Sequence, residues 1–473
     1  MSNADPIWTL VDRRRAAYTA LSDAVFDTPE IAYTETQATA LHKAQAEAEG
    51  FRVTEGLAGI PTALLAEAGT EGPVIAILGE YDALPGLSQE AGQAVHTPLP
   101  GAGHGHGCGH NLLGAGALMA AVAVKDWLAD TGHAARIRYY GCPAEEGGAA
   151  KAFMVRAGLF DDVDAAITWH AATYTGVARP KSLANSRIDF TFTGKAAHAA
   201  AAPHLGRSAL DAVELMNIGV NYLREHMPDD ARVHYAYLNA GGAAPNVVPA
   251  EATVRQLVRA RDLKGLRDLV ARVRAIADGA ALMTGTRVTA RVHTAVSNLL
   301  GNRPLEEAMQ TSLERLGPPS WDSDDRSFAT AMRATLTEED IAASYAVLGL
   351  TPDPEEVLST LVAPLDTPPA GGEGSTDVGD VSWAVPTVQA RVATCAIGTP
   401  FHTWQLTAQG KAPAAHKGMV LAAKAMATVA ASLIESPATL QAARDAHRKA
   451  LSKDPYECPI PADIGPPVSA QDT

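Results

Sequence analysis

The sequence predicts an α/β fold with a second domain inserted in it. The first third of the chain alternates short apolar strands with helical segments, and about a hundred residues in the middle follow the order β-α-β-β-α-β. A length of 473 residues accommodates two or three domains. We therefore expect an α/β domain in two parts, residues 1–186 and 299–473, and an inserted ferredoxin-like domain at residues 187–298.

Three apolar segments of the first part, PVIAILGEYD, ARIRYYGCP and DAAITWH, each predict a buried strand. In α/β sheets the carboxyl ends of such strands open onto the ligand crevice. Glu80 and Asp82, then Glu145 and Glu146, then His170 fall at or just past these ends. The sequence therefore predicts that metal-capable groups collect at one rim of the sheet.

The inserted domain begins with the strand RIDFTFTG near Arg187 and ends near Asn298. Beyond it lies an acidic, Pro-rich region, which is followed by the strand-like VQARVATCAIG and an Ala-rich helix from His416 to about Glu435. We expect this last strand and helix to return to the first sheet.

The charge balance disfavours nucleic acid and anionic lipid as partners. Lys and Arg number 38 against 53 Asp and Glu, a formal net charge of −15 that would repel phosphate. Four scattered cysteines are too few for a disulfide framework, and no secretory signal opens the chain. Apolar runs such as LLGAGALMAAVAV end at charged residues, so we expect no membrane span and a cytoplasmic protein.

Two segments could carry chemistry. GAGHGHGCGHNLLGAGA places His104, His106, Cys108 and His110 in a glycine-rich loop that leads into a helix. The same segment is also compatible with a flexible polar loop that has no chemical role. In CPAEEGG the adjacent Glu145 and Glu146 suit either a solvated turn or a hydrolytic metal site. In such a site one carboxylate holds the metal while its neighbour accepts a proton from the attacking water.

Two further histidines favour the metal site. His170 ends a predicted strand in DAAITWH, and His402 follows a late strand in GTPFHTWQ. Sulfur, nitrogen and oxygen donors on four separate segments would be enough for two divalent ions per chain. Mixed soft and hard donors favour zinc or manganese.

These motifs resemble the dinuclear-metal peptidases and amidohydrolases that include carboxypeptidase G, the aminoacylases and hippurate hydrolase. The segments GHGCGHNLLGAGAL, GKAAHAA, GGAAPNVVPA and FHTWQ are most similar to the branch that hydrolyses p-aminobenzoyl-glutamate, and the resemblance covers nearly the whole chain. It implies Glu145 as the general base and a set of five metal ligands: Cys108, His110, Glu146, His170 and His402.

The sequence also departs from the family pattern. Glu80 stands where many relatives have a metal-binding histidine, so Cys108 would replace that ligand. Asp82 and His106 are then expected beside the ligands rather than on the metal. Asn111 occupies a position where this branch usually has aspartate.

In the inserted domain the resemblance implies roles for His198 and Asn246. The histidine would reach the metal centre of a partner subunit and polarise the scissile carbonyl, and the asparagine would assist substrate binding. Arg207 and Arg259 could pair with a substrate carboxylate or be ordinary surface or structural arginines.

The motif STDVGD leaves two interpretations open. Its acids, Asp377 and Asp380, could belong to a family loop near the site or to a solvated turn.

The resemblance implies a metal-dependent amidohydrolase that cleaves N-acyl amino acids such as p-aminobenzoyl-glutamate. A dipeptidase or another N-acyl-amino-acid hydrolase remains an alternative, as does a non-catalytic partner subunit of a hetero-oligomeric hydrolase. The inserted domain would serve as a lid and as a dimerisation surface, because its sheet leaves an edge exposed. A homodimer is expected, with a heteromer of related subunits as the second possibility.

Overall fold

The fold is described from a computed structural model, which covers residues 5–101, 103–367 and 374–468. The two ends of the predicted α/β domain, residues 1–4 and 469–473, lie outside this range.

The described residues form strands in three sheets. In chain order the strands are β1 (Arg52–Glu55), β2 (Leu64–Ala68), β3 (Val74–Glu80), β4 (Leu84–Pro85), β5 (His104–Gly105), β6 (Arg136–Cys142), β7 (Ala165–Ala172), β8 (Gly176–Val177), β9 (Ala184–Thr193), β10 (Arg232–Asn239), β11 (Glu251–Ala260), β12 (Arg287–Val296) and β13 (Thr387–Ala393).

Helices cover these sheets. In chain order they are α1 (Pro6–Asp12), α2 (Arg15–Asp27), α3 (Thr36–Ala48), α4 (His110–Thr131), α5 (Ala150–Arg156), α6 (Ala209–Leu223), α7 (Leu263–Thr284), α8 (Arg303–Leu316), α9 (Ser323–Arg333), α10 (Glu338–Ala346), α11 (Val378–Ala384), α12 (Trp404–Gln409), α13 (Pro413–Glu435) and α14 (Pro437–Leu451).

The main sheet has seven strands in the order β1-β2-β6-β3-β7-β13-β8. Strands β6, β3, β7 and β13 run parallel to one another, so their carboxyl ends lie at one edge. Every residue of β3 is buried, which explains its continuous apolar sequence: a parallel strand is covered on both faces. The α/β class is confirmed, and β13 returns to the first sheet as expected.

Helices α4 and α13 pack against each other and against this sheet. By length and composition alone, both are long and apolar enough to cross a membrane. In each, however, 83% of the most apolar window is buried inside the protein. Their small Ala and Gly side chains allow the close packing of core helices.

A four-stranded antiparallel sheet, with the order β10-β11-β9-β12, forms the inserted module. Its elements follow one another as β9, α6, β10, β11, α7 and β12. Buried and partly exposed residues alternate along β9, as expected for a sheet with helices on one face. Strand β9 begins at Ala184, slightly before the predicted boundary, and the domain limits at 187 and 298 stay a prediction.

The acidic, Pro-rich region after Asn298 contains the helices α8, α9 and α10, which the sequence analysis did not identify. Side-chain caps mark their first turns: Asn302, Asp322 and Thr337 each accept a hydrogen bond from a backbone N–H of the helix they precede. These capping residues were the signal that was available in the sequence.

Candidate metal centre

The predicted polar groups meet at the carboxyl edge of the main sheet. Strand β3 ends at Glu80, and Asp82 follows it, while β6 ends at Cys142 just before the acid pair. The register of these parallel strands sets Glu80 opposite Cys142. The residues that follow the two strands are therefore brought together by the sheet itself.

Glycines shape the loop that leads into α4. Gly109 has a φ of 77°, which a residue with a Cβ adopts only with strain, and a Cβ there would lie 3.1 Å from that of Ala171. This close approach sets Cys108 beside β7, where its Sγ lies 3.5 Å from Nε2 of His170. His110 begins α4 and is completely buried.

Three groups of side chains could each hold a metal ion. Within every group the candidate ligand atoms lie no more than 4.8 Å apart. The groups are Cys108, His110 and His170; Cys108, Glu146 and His402; and Glu80, His110 and Glu145. The first two contain all five predicted ligands and share Cys108, an arrangement suited to two neighbouring ions.

Two buried atoms support this fit. Nε2 of His110 and Oε1 of Glu146 are buried and make no well-aligned hydrogen bond among the described residues. Their polar neighbours are Oε2 of Glu80, 3.4 Å from the His110 nitrogen, and Nε2 of His402, 3.2 Å from the Glu146 oxygen. Polar atoms buried in this way favour a further partner such as a metal ion. Nδ1 of His110 lies 3.0 Å from Oδ1 of Asp82. Metal-binding histidines commonly use their second nitrogen in this way, so the ring is oriented as a metal ligand would be.

Asp82 also binds the loop that carries the acid pair, because its Oδ2 accepts a hydrogen bond from the backbone N–H of Glu146 at 2.8 Å. Burial opposes ionisation of this carboxyl, but His110 and the Glu146 amide outweigh it and lower the pKa of Asp82. His106 is the other residue that was predicted beside the ligands. Its Nε2 lies 3.1 Å from the carbonyl oxygen of Val25, and it belongs to none of the three groups.

His402 approaches from the loop before α12. Its Nε2 lies 3.2 Å from Oε1 of Glu146, and its side chain is 54% exposed. Its φ of 61° is unusual for a residue other than glycine, and such strained conformations are concentrated at functional sites. His402 therefore occupies the solvent-facing side of the centre.

Burial and neighbouring charges shift the titration of the site. Burial raises the pKa of Glu145 well above its usual range, and the nearby carboxylates of Glu80 and Glu146 raise it further. Burial lowers the pKa of His170 well below its usual range, so its imidazole is neutral, the form that binds metal. Burial also raises the pKa of the Cys108 thiol.

Sequence reasoning missed Lys151, whose buried ammonium lies 2.6 Å from a carboxylate oxygen of Glu80 and 2.6 Å from one of Asp377. Burial disfavours the ammonium, but these carboxylates outweigh it and raise the pKa of Lys151 well above its usual range. A lysine within the apolar stretch AAKAFMV was the one available signal.

The interpretation of STDVGD as a solvated turn is wrong, because both of its acids are buried. Asp377 pairs with Lys151, and Asp380 accepts hydrogen bonds from the hydroxyl groups of Ser297 at 2.7 Å and Tyr456 at 3.0 Å. Burial raises the pKa of Asp380 to about 6. Only Asp377 therefore lies within the buried charge network of the centre.

His198 and Asn246 lie near each other on the inserted module and belong to none of the three metal-capable groups. The carbonyl oxygen of Asn246 accepts a hydrogen bond from the N–H of Ala199 at 3.0 Å. Both side chains are exposed, and Nδ1 of His198 accepts backbone hydrogen bonds from Ala200 and Ala201. Within one chain, their positions leave both residues available to a neighbouring subunit.

Arg187, an arginine of this module that the sequence analysis did not single out, lies beside the acid-pair loop. A Cβ at Gly147, the residue after the acid pair, would lie 3.1 Å from Nη2 of Arg187. Arg207 instead donates hydrogen bonds to the carbonyl oxygens of His204 and Gly206. Nε of Arg259 is buried without a hydrogen-bond partner among the described residues.

Comparison with protein families matches residues 76–341 to the peptidase family M20/M25/M40. The chain belongs to this family. The resemblance drawn from the sequence is thereby confirmed, and the protein is a metal-dependent amide-bond hydrolase.

Individual family members agree with this assignment. One of the p-aminobenzoyl-glutamate hydrolase subunits of Escherichia coli (strain K12) is 47% identical over 467 residues, which cover 96% of this chain and 97% of that protein. The Xaa-Arg dipeptidase of Mus musculus is 29% identical and covers 94% of this chain and 92% of its own length. A dinuclear metal binding peptidase of the M20 family from Bacillus subtilis shares the fold, with a TM-score of 0.56 and 18% identity over 89% of this chain and 99% of its own.

We expect Cys108→Ala to lower metal content, because this thiol belongs to two of the three metal-capable groups. Cys142→Ala is the matched control, since Cys142 is also buried beside the site but belongs to none of them. Metal content after equilibration with a competing chelator measures the difference. Full metal content and activity in Cys108→Ala would make the thiol structural.

Proposed function

We propose that this enzyme hydrolyses the amide bond of N-acyl amino acids with an acidic amino-acid part, p-aminobenzoyl-glutamate being the first substrate to test. One observation carries the proposal: an adjacent acid pair converges with cysteine and histidine donors at the carboxyl edge of the main sheet. The near full-length similarity to one chain of a p-aminobenzoyl-glutamate hydrolase supports the choice of substrate.

In this proposal Cys108, His110, Glu146, His170 and His402 hold two divalent ions, zinc or manganese. The mixture of thiolate, imidazole and carboxylate donors supports either metal over magnesium or calcium. When bound, the ions supply Lewis-acid chemistry that polarises the scissile carbonyl and acidifies the attacking water.

Glu145 acts as the general base. Its carboxylate takes a proton from the attacking water and returns it to the nitrogen of the leaving amine. Burial and the neighbouring acids raise the pKa of Glu145 in the metal-free protein, and a carboxyl with a raised pKa is a better proton acceptor once ionised. Lys151 keeps the neighbouring Glu80 paired, which leaves Glu145 free for proton transfer.

The amino-acid end of the substrate faces the inserted module. Arg187 lies next to the acid-pair loop, and no ion pair of its guanidinium is found within the described residues. Burial and the neighbouring Arg255 lower the pKa of Arg187, which means that its positive charge is disfavoured there. A substrate carboxylate next to the guanidinium would stabilise that charge. Arg255 itself is paired with Asp189.

The positive charges of Arg187 and Arg259 also discriminate between the alternative functions. A dipeptidase for basic residues would bring a second cation towards Arg187 and Arg259, which like-charge repulsion disfavours. A non-catalytic subunit would not need Glu145 to lie among the metal-capable groups, where it is found. The first argument favours acidic substrates, and the second favours a catalytic subunit.

Purified protein and a panel of N-acyl amino acids test this function. We expect about two divalent ions per chain, loss of turnover with a chelator and recovery with zinc or manganese, because five donors exceed one tetrahedral site. N-acyl glutamates should be cleaved faster than N-acyl arginines. A preference for basic residues would favour the dipeptidase, and no turnover of any member by metal-loaded protein would favour the non-catalytic subunit.

Glutamine substitutions separate the roles of the acid pair. Glu145→Gln should lower turnover by roughly 10² to 10⁴ while metal stays bound, because it removes the proton acceptor and keeps the shape. Glu146→Gln should lose metal as well as activity. Metal content and turnover of the two variants, measured side by side, decide this. Equal metal loss in both, or full activity in Glu145→Gln, would contradict the assigned roles.

We also propose that the chain assembles through the inserted module and acts in the cytoplasm. Strand β10 is an edge of its sheet, and Tyr237 and Leu238 on that strand are 45% and 49% exposed. Apolar side chains on an exposed edge favour pairing with another chain. A two-fold homodimer is the simplest arrangement. Pairing with a related but different chain is the alternative, which is suggested by the two distinct hydrolase subunits among the relatives.

The free state of all four cysteines suits a reducing compartment.

If His198 serves the partner's site, His198→Ala and Glu145→Gln should complement each other. A mixed dimer would contain one pocket with an intact base from one chain and an intact histidine from the other. With complete exchange in an equal mixture, about a quarter of the pockets become intact, so turnover should rise towards a quarter of wild type. Native mass spectrometry verifies the exchange. Complete exchange without any gain would place the action of His198 within its own chain or remove it altogether.

A further inference from the structure

The turn that carries the acid pair is held at both ends by a segment from the start of the chain. Glu35 binds the entry of the turn: its Oε1 accepts hydrogen bonds from the N–H of Ala144 at 2.8 Å and of Tyr33 at 2.9 Å. Tyr33 binds the exit, where its hydroxyl donates to the carbonyl oxygen of Gly148 at 2.5 Å. Both holding side chains are buried.

Strain in the turn explains why it needs holding. Ala144 and Ala149 flank the acid pair, and their φ angles of 54° and 59° are in the left-handed region. Tyr33 itself has a φ of 66°. A non-glycine residue persists in this conformation only where the surrounding structure imposes it. Here Tyr33 and Glu35 supply such contacts at the two ends of the turn, and Asp82 supplies one at its centre.

The tyrosine ring also packs against the turn. A Cβ at Gly148 would lie 2.8 Å from the Tyr33 ring and 2.6 Å from the Cβ of Ala144, so the glycine allows the ring to pack directly against the turn. This packing and the two hydrogen bonds therefore oppose movement of the turn, in addition to the bond from the Glu146 N–H to Asp82.

We propose that Tyr33 and Glu35 are positioning residues that set the place of Glu145 and Glu146 relative to the metal ligands. The proposal rests on the function proposed above and extends it to residues that touch neither metal nor substrate. A shift of the turn would move the base and one ligand away from Cys108 and His110 at once. A misplacement of about 1 Å can cost roughly 10²-fold in rate.

Glu35→Ala and Glu35→Gln form the central comparison. The alanine removes the acceptor, whereas the glutamine retains an oxygen that can accept from Ala144 and Tyr33. Burial, assisted by Asp82, raises the pKa of Glu35 to about 8, so glutamine resembles the neutral carboxyl present near pH 7. Tyr33→Phe removes the second hydrogen bond and keeps the ring.

Glu30→Ala is the control for general damage to this segment. The Glu30 carboxylate accepts hydrogen bonds from the N–H groups of Gln37 at 2.9 Å and Ala38 at 3.1 Å, at the start of α3. It lies in the same stretch of chain, but these bonds do not involve the acid-pair turn. Loss of this cap would destabilise the helix without releasing the turn.

Two readouts are needed: steady-state kinetics of the metal-loaded enzyme and amide hydrogen exchange of the metal-free protein over residues 144–149. We expect kcat of Glu35→Ala to fall about 10²-fold with KM little changed, because the loss is one of geometry at the reacting groups. Glu35→Gln should recover most of this loss, and Tyr33→Phe should fall between them. The turn should exchange faster in Glu35→Ala and Tyr33→Phe but not in Glu30→Ala.

Wild-type kcat and exchange in Glu35→Ala would overturn the proposal, as would an equal loss of kcat in Glu30→Ala. Failure of the proposed function gives a different pattern, because either the metal-loaded wild type would show no turnover or Glu145→Gln would remain active, whatever the exchange data report. An inactive Glu145→Gln together with a fully active Glu35→Ala would reject the positioning role alone.

Discussion

Buried negative charge at the carboxyl edge of the main sheet is the constraint on which the rest of the site depends. Glu80 and Asp377 are buried there beside the acid pair, and an unpaired carboxylate in such a place is costly. Lys151 contacts both carboxylates at 2.6 Å, and its single positive charge offsets part of this negative charge. The remaining negative charge, on Glu145 and Glu146, is what divalent cations would neutralise. The site therefore contains one fixed positive charge, on Lys151, and carboxylates that favour the binding of divalent cations.

The second constraint is geometric, because ligands from different parts of the chain must converge within a few ångströms. Parallel strands bring their ends together at one edge of the sheet. Asp82 then links two of the candidate ligands, because it contacts both His110 and the backbone N–H of Glu146. The strained turn between Ala144 and Ala149 then aims the acid pair at this point. Rigid strands supply the approximate position of each group, and local hydrogen bonds refine it.

In the proposed function the two modules divide the chemistry between them. The main sheet presents acids and metal-capable groups, whereas the inserted sheet presents Arg187 beside Gly147 and an exposed His198. A substrate with a carboxylate and a scissile amide would need both surfaces. The distance between the modules, and hence any movement of the inserted one, would control how well these surfaces act together.

The sequence by itself determined the fold class, the family and the convergence of five candidate ligands. The family followed from the resemblance of the motifs, whereas the fold class and the convergence depend on local patterns: buried strands appear as continuous apolar runs, and residues just past parallel strand ends share one edge. The metal-capable groups around Cys108 and Glu146 were predictable for that reason. The roles of individual residues remain predictions. The limits of the domains also remain predictions, because local patterns in the sequence are their support.

Only the tertiary structure decided which distant side chains share the site. Lys151 and Asp377 are 226 positions apart, and nothing in the local sequence of either one indicates that they form a buried pair. The same holds for Tyr33 and Glu35, which reach a turn more than a hundred positions away. Local periodicity reports which face of an element is buried, but the partner across the interface is chosen by packing of the whole chain.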